Sequence, residues 1–167
     1  MEENILASDI EAAEVKEQSG VLRSIVYAGL TVGVLDAIAA TVSSGIRGVP
    51  PIRVFQYVAS GILGPSAYEG GIATYLVGLL CHFTVAFGAS TVFLVMSRFV
   101  PFLTRMPLLI GPLYGIVVYF MMREVISPLS LVARLNYTAS STIIGLAIHM
   151  ICVGLPIALI TSRFAKE

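Results

Sequence analysis

Gly78-Leu79-Leu80-Cys81-His82 opens a long apolar run that closes on Ser97-Arg98-Phe99, and Gly145-Leu146-Ala147-Ile148-His149 opens a second that closes on Ser162-Arg163-Phe164. Each run carries one histidine within its apolar stretch and a basic residue at its end. Runs of this length and polarity read as bilayer-crossing helices. The recurrence of Gly-Leu-x-x-His and Ser-Arg-Phe in the same order reads as an internal duplication. Working outward from these two runs assigns the rest of the chain.

Composition agrees. The chain has 167 residues, 57% of them hydrophobic and 12% charged, against about 25% charged in an average soluble domain. The mean hydropathy is +0.92, in the range of a membrane protein. The ten basic and ten acidic residues are unevenly placed. Glu2, Glu3, Asp9, Glu11, Glu14 and Glu17 crowd the N-terminus, and no basic stripe exists for a nucleic acid to follow. Cys81 and Cys152 sit singly in apolar segments, so neither a redox Cys-x-x-Cys pair nor a secreted disulfide framework is present.

Residues 1–20 read as an acidic cytoplasmic tail. Ser8-x-x-Glu11 resembles a capping box and Gly20 a stop, which together predict a short helix over about residues 9–18. The acidic opening without an apolar core is not that of a signal peptide. Four spans follow within a single membrane domain (21–167), at about residues 25–46, 72–96, 108–126 and 141–161. The first alone, at about 1.5 Å per residue, rises roughly 33 Å, enough for a hydrocarbon core of about 30 Å. Between spans 1 and 2, Pro50-Pro51 and Gly64-Pro65 bracket an amphipathic piece at 52–63, too short to cross and therefore interfacial. A second such piece is predicted at 129–140, after span 3. The fold class is all-α: a four-helix transmembrane bundle made of two fused two-span repeats.

Gly29-x-x-x-Gly33 and Gly111-x-x-x-Gly115 give spans 1 and 3 side-chain-free faces for close helix packing. Tyr57-Val58-Ala59-Ser60 is echoed by Tyr137-Thr138-Ala139-Ser140. A two-span repeat keeps its orientation, so the halves should be related by an axis along the membrane normal. With both termini cytoplasmic, Lys16, Arg23, Arg98, Arg105, Arg163 and Lys166 lie inside, against Arg47, Arg53, Arg123 and Arg134 outside. That is the bias of the positive-inside rule. Arg53, Arg123 and Arg134 read as interfacial anchors.

Asp36, His82 and His149 fall inside the spans, each about nine residues from the outer end and therefore close to one depth. A charge at the centre of a bilayer costs about 3 kcal/mol or more, so each must face a neighbour or water. Three readings follow. They are polar glue between helices, worth about 0.6 kcal/mol per bond; or a proton or ion relay; or, for His82 and His149 alone, a pair of axial ligands to a haem b iron. A zinc site is disfavoured because Cys81 and His82, being adjacent, diverge by about 100° on a helix. No nucleotide loop, nucleophile elbow or metalloprotease motif occurs, and neither catalytic residues nor a cofactor are expected.

The strings Gly29-Leu-Thr-Val-Gly33-Val-Leu-Asp36, Arg53-Val-Phe-Gln56, Ala59-Ser-Gly-Ile-Leu-Gly64, Gly70-Gly71, Gly78-Leu-x-x-His82 and Gly111-Pro-Leu-Tyr-Gly115 resemble a group of small, uncharacterised four-span bacterial inner-membrane proteins. The resemblance implies a multi-pass protein of the bacterial cytoplasmic membrane. It implies no activity, and the acidic tail lies outside it. The expectation is a non-enzymatic accessory subunit that packs against the helices of other membrane subunits or of its own copies. Small-residue faces, short loops, two amphipathic pieces and a tail suited to docking favour it, and four helices also enclose too little space for a substrate path. A small oligomeric transporter using Asp36, His82 and His149, and a bis-histidine haem or quinone protein, are the alternatives.

Overall fold

The computed structural model describes residues 2–133 and 138–164. It is helical, with no strand among the described residues. Four helices are long and apolar enough to cross a membrane: Gln18–Ile46, Gly71–Phe99, Pro107–Leu129 and Ala139–Phe164. The first is the distal part of α1 (Glu2–Ile46). After it come α2 (Pro51–Leu63), a 3₁₀ turn (Gly64–Tyr68), α3 (Gly71–Phe99) and a single-turn α4 (Phe102–Arg105). The last two spans are α5 (Pro107–Leu129) and α6 (Ala139–Phe164).

Three boundaries differ from expectation. Gly20 does not stop a helix, because α1 runs unbroken through it and the Ser8 capping box falls inside the helix. One glycine costs only about 1 kcal/mol against alanine, and no proline or second breaker follows it. The third span continues past Arg123-Glu124 to Leu129. The amphipathic helix expected at 129–140 does not form over residues 130–133. Ser130 turns extended and Leu131 N–H donates to Gly61 O of α2 at 2.9 Å, which pins the strand-like connection there. Arg134 and Tyr137 lie outside the described residues. By contrast, α2 forms where it is predicted, with Pro51 at its first turn.

That Leu131–Gly61 bond also sets the layout: the α1–α3 and α5–α6 connections share one end of the bundle, the α2 end. At the opposite end Tyr27 of α1 stacks on Phe164 of α6, ring centroids 5.8 Å apart. Between the ends, the buried positions recur every three or four residues, as a helix face requires. They are Ser24, Ala28 and Val32 on α1, Ala86, Ser90, Phe93 and Ser97 on α3, and Val153, Ile157 and Thr161 on α6. Val32, Ala86, Phe93, Val153, Ile157 and Ala158 pack into one apolar core. Tyr114 of α5 closes it, edge-on to Phe93 and donating its hydroxyl to Ala89 O at 2.7 Å. The bundle is therefore plugged between mid-depth and the end that holds the termini.

Helices α5 and α6 each contain one π-helical turn, at Met121–Ile126 and His149–Gly154. Both are followed by a proline, Pro128 and Pro156. The residue before each proline, Ser127 or Leu155, donates five residues back, to Met122 O or Met150 O. Proline has no N–H and its ring crowds the carbonyl four residues before it, so the preceding turn widens.

Candidate functional site: a polar cavity at the α2 end

The glycine pairs set the distances on which the site is built. A Cβ on Gly111 would strike the backbone of Gly154 and Leu155, and one on Gly115 the backbone of His149 and Met150. Here α5 and α6 meet backbone to backbone, as the small-residue spacing predicts. Gly29 and Gly33 do something else: they receive the rings of Phe87 and Phe83 from α3. Gly78 lies against the carbonyl of Phe55, which brings α2 onto α3.

Two of the three intramembrane ionisable groups meet directly. His82 Nε2 lies 2.9 Å from Gly33 O, and its Nδ1 lies 3.9 Å from Asp36 Oδ2. A carbonyl oxygen only accepts, so Nε2 carries the hydrogen and donates. That leaves Nδ1 facing the carboxylate, and the pair is satisfied when it holds one further proton, either as imidazolium with carboxylate or as imidazole with carboxylic acid. The ring is held edge-on by Phe55 and Phe83, at 5.7 Å from each. Both side chains are mostly covered, 13% exposed for His82 and 20% for Asp36.

His149 takes a different arrangement. Its Nδ1 donates to Gly145 O at 2.9 Å, one turn back on its own helix, and its ring meets Tyr119 edge-on at 5.3 Å. Nε2 is then left as an acceptor. The depth argument identifies the three residues. Their partners depend on which backbone carbonyl each ring can reach, which periodicity does not encode.

All three line a single cavity of about 570 Å³, inside the range of about 300–1,000 Å³ usual for ligand sites. With α2 as a further wall, the four spans border more space than four helices alone were expected to hold. The cavity floor is Val32, Ala86 and Val153, the top of the apolar plug. Its walls are largely aliphatic, among them Val54, Val58, Val85, Val118 and Ile148. Arg47, Arg53 and Arg123 join the lining towards the α2 end. On α1 alone, Arg47 lies eleven residues beyond Asp36, about 16 Å along the helix.

The arginines are held in place. Arg53 donates through Nη1 to Tyr68 O at 2.9 Å and Gln56 Oε1 at 3.2 Å, with its guanidinium over the Tyr68 ring. Gln56, 2% exposed, bonds on to Gly71 O at 3.0 Å and so fixes α2 to the start of α3. Arg47 Nη2 donates to Ser44 Oγ at 3.2 Å. Arg123 pairs with Glu124 at 2.9 Å and reaches Thr142 Oγ1 at 3.1 Å. The sequence marks Arg53 and Arg123 as anchors but does not connect them, or Arg47, to the histidines.

No group of three metal-binding side chains occurs among the described residues. Axial ligation of a haem would also require His82 to surrender its bond to Gly33 O or turn its Asp36-facing nitrogen outward. Comparison of the chain with protein-family models, with curated proteins and with solved structures found no match.

Proposed function

We propose that this integral membrane protein is a small proton-coupled carrier of the bacterial cytoplasmic membrane, and that Asp36, His82 and His149 are its proton-handling groups. One observation carries the reading: all three side chains line the same cavity, which runs from the α2 end to an apolar plug near mid-depth. A group that served only as helix glue would gain nothing from facing a cavity. A proton relay needs both a water-accessible wall and a partner with which to share the proton. The plug supplies the closed side that alternating access requires. The bias of basic residues supports cytoplasmic termini, and in that orientation the cavity opens towards the outside. No catalytic step is assigned.

The test is proton flux into liposomes containing the purified protein. Asp36→Asn removes the carboxylate that faces His82 Nδ1 and is expected to reduce flux at least tenfold, while His149→Gln has a smaller effect. Flux that persists unchanged in Asp36→Asn overturns the reading.

Assembly with other subunits, or of copies of the chain with each other, is a second reading favoured by a separate observation. Helix α1 continues from the membrane span back to Glu2 without a break. At 1.5 Å per residue the part before Gln18 projects about 24 Å beyond the span. Such a rod, carrying most of the acidic residues, is suited to docking a basic partner. Mass spectrometry of the native detergent extract tests it: co-purification lost on deleting residues 2–17 is expected, and recovery only as free monomer counts against it.

A further inference from the structure

Resting on the carrier reading, we propose that the cavity takes an apolar monocarboxylate, an organic acid with a hydrocarbon body and a single carboxylate. Charge and shape carry the assignment. Arg47 and Arg53 have neutral hydrogen-bond partners, Ser44 for the first and Gln56 and Tyr68 for the second, and neither has a carboxylate partner among the described residues. Arg123, beside them, already holds Glu124. The cavity entrance therefore carries a net positive charge. Arginine's planar fork suits a carboxylate and draws an anion in from solution.

Beyond the entrance, the aliphatic walls suit a hydrocarbon and offer little to a sugar or an amino acid. Ser43, Tyr57 and Tyr119 add polar groups beside Val54, Val58 and Val85, too few to partner every hydroxyl of a long polyol, and each unpaired polar group costs binding.

The floor accounts for the single negative charge. His82 Nδ1 lies 3.9 Å from Asp36 Oδ2, so a proton held between them is within reach of a carboxylate that arrives there. A monocarboxylate arriving there takes the Nδ1 proton of His82 and becomes the neutral acid. His82 stays neutral with its Nε2 hydrogen on Gly33 O, and Asp36 stays ionised. One proton neutralises one carboxylate, whereas a phosphate monoester would keep a charge in the least polar part of the path. The entrance captures the anion, and the floor removes the charge that would bar it from crossing.

Octanoate, octanol and octyl phosphate serve as probes, titrated by calorimetry against the full-length protein in phosphatidylcholine nanodiscs. Octanoate is expected to bind at least tenfold more tightly than octanol, and at least as tightly as octyl phosphate. Arg53→Gln is expected to weaken octanoate about tenfold, the equivalent of about 1.4 kcal/mol. Arg47→Gln, at an exposed site that does not hold α2 in place, repeats the measurement where a folding defect is not at issue. Equal affinity for octanol, or octanoate binding untouched in both arginine variants, overturns the proposal. Tighter binding of octyl phosphate, with the same arginine dependence, overturns it in favour of a lipid-phosphate site. Octanoate binding that is arginine-dependent but unaccompanied by Asp36-dependent proton flux keeps the ligand and removes the carrier. Flux without octanoate binding does the reverse.

Discussion

Gly78 and Gly88 sit on the same helix, ten residues apart, and meet opposite surroundings. A methyl on Gly78 would run into the Phe55 carbonyl of α2, whereas around Gly88 nothing lies within 4 Å. Backbone cannot step aside as a side chain can, so Gly78→Ala should destabilise by about 1–3 kcal/mol. Gly88→Ala should be neutral, or stabilising by up to about 1 kcal/mol through helix propensity. Thermal unfolding of the two variants in the same detergent checks this contrast. Sequence spacing flagged Gly29, Gly33, Gly111 and Gly115 for close packing, yet only the second pair meets backbone; the first pair receives rings. A Gly-x-x-x-Gly spacing shows that a face is flat and leaves open what fills it. The same holds for the ionisable residues. That Asp36 and His82 need partners follows from the cost of charge in lipid, while the identity of Gly33 O as one of those partners depends on a helix crossing.

Among the elements, α2 was legible because prolines bracket it and its apolar face repeats with helical period. Its counterpart, expected at 129–140 after Pro128, is not helical over residues 130–133. There the chain is held by a tertiary bond, Leu131 N–H to Gly61 O. This leaves the duplication a proposal carried by sequence order. The π turns had a signal that the reading did not use: a proline inside an apolar run long enough to span. Replacing Pro156 with alanine adds an N–H able to bond Cys152 O and should draw His149–Gly154 back towards α-helical pairing. Hydrogen-exchange mass spectrometry is expected to show slower exchange over residues 149–156 in Pro156→Ala. Unchanged exchange would mean that Gly115 and Gly154, rather than the proline, open the turn.

For the whole molecule, four spans were readable from length and hydropathy alone, and counting along them places Asp36, His82 and His149 within the spans. The cavity was not. Its volume comes from how far α2 stands off, which Gln56 sets through Gly71 O and Thr74 Oγ1. Gln56→Leu keeps the side chain's bulk and removes its bonds to Gly71 O, Thr74 Oγ1 and Arg53 Nη1, leaving Thr74 Oγ1 as the remaining side-chain donor to Gly71 O. It should lower the unfolding temperature, at about 1–3 kcal/mol, and loosen α2. Faster exchange confined to residues 51–71 is the expected signature.

One asymmetry has a mechanical consequence. Helices α1 and α3 keep their backbone ladder from end to end, whereas α5 and α6 each give it up for one turn. Lipid offers no hydrogen bonds to a helix that opens, so flexing concentrates where the ladder has already been relaxed. The first hairpin then behaves as a doorpost and the second as the door, with its two hinges at unequal heights so that the leaf swivels as it swings.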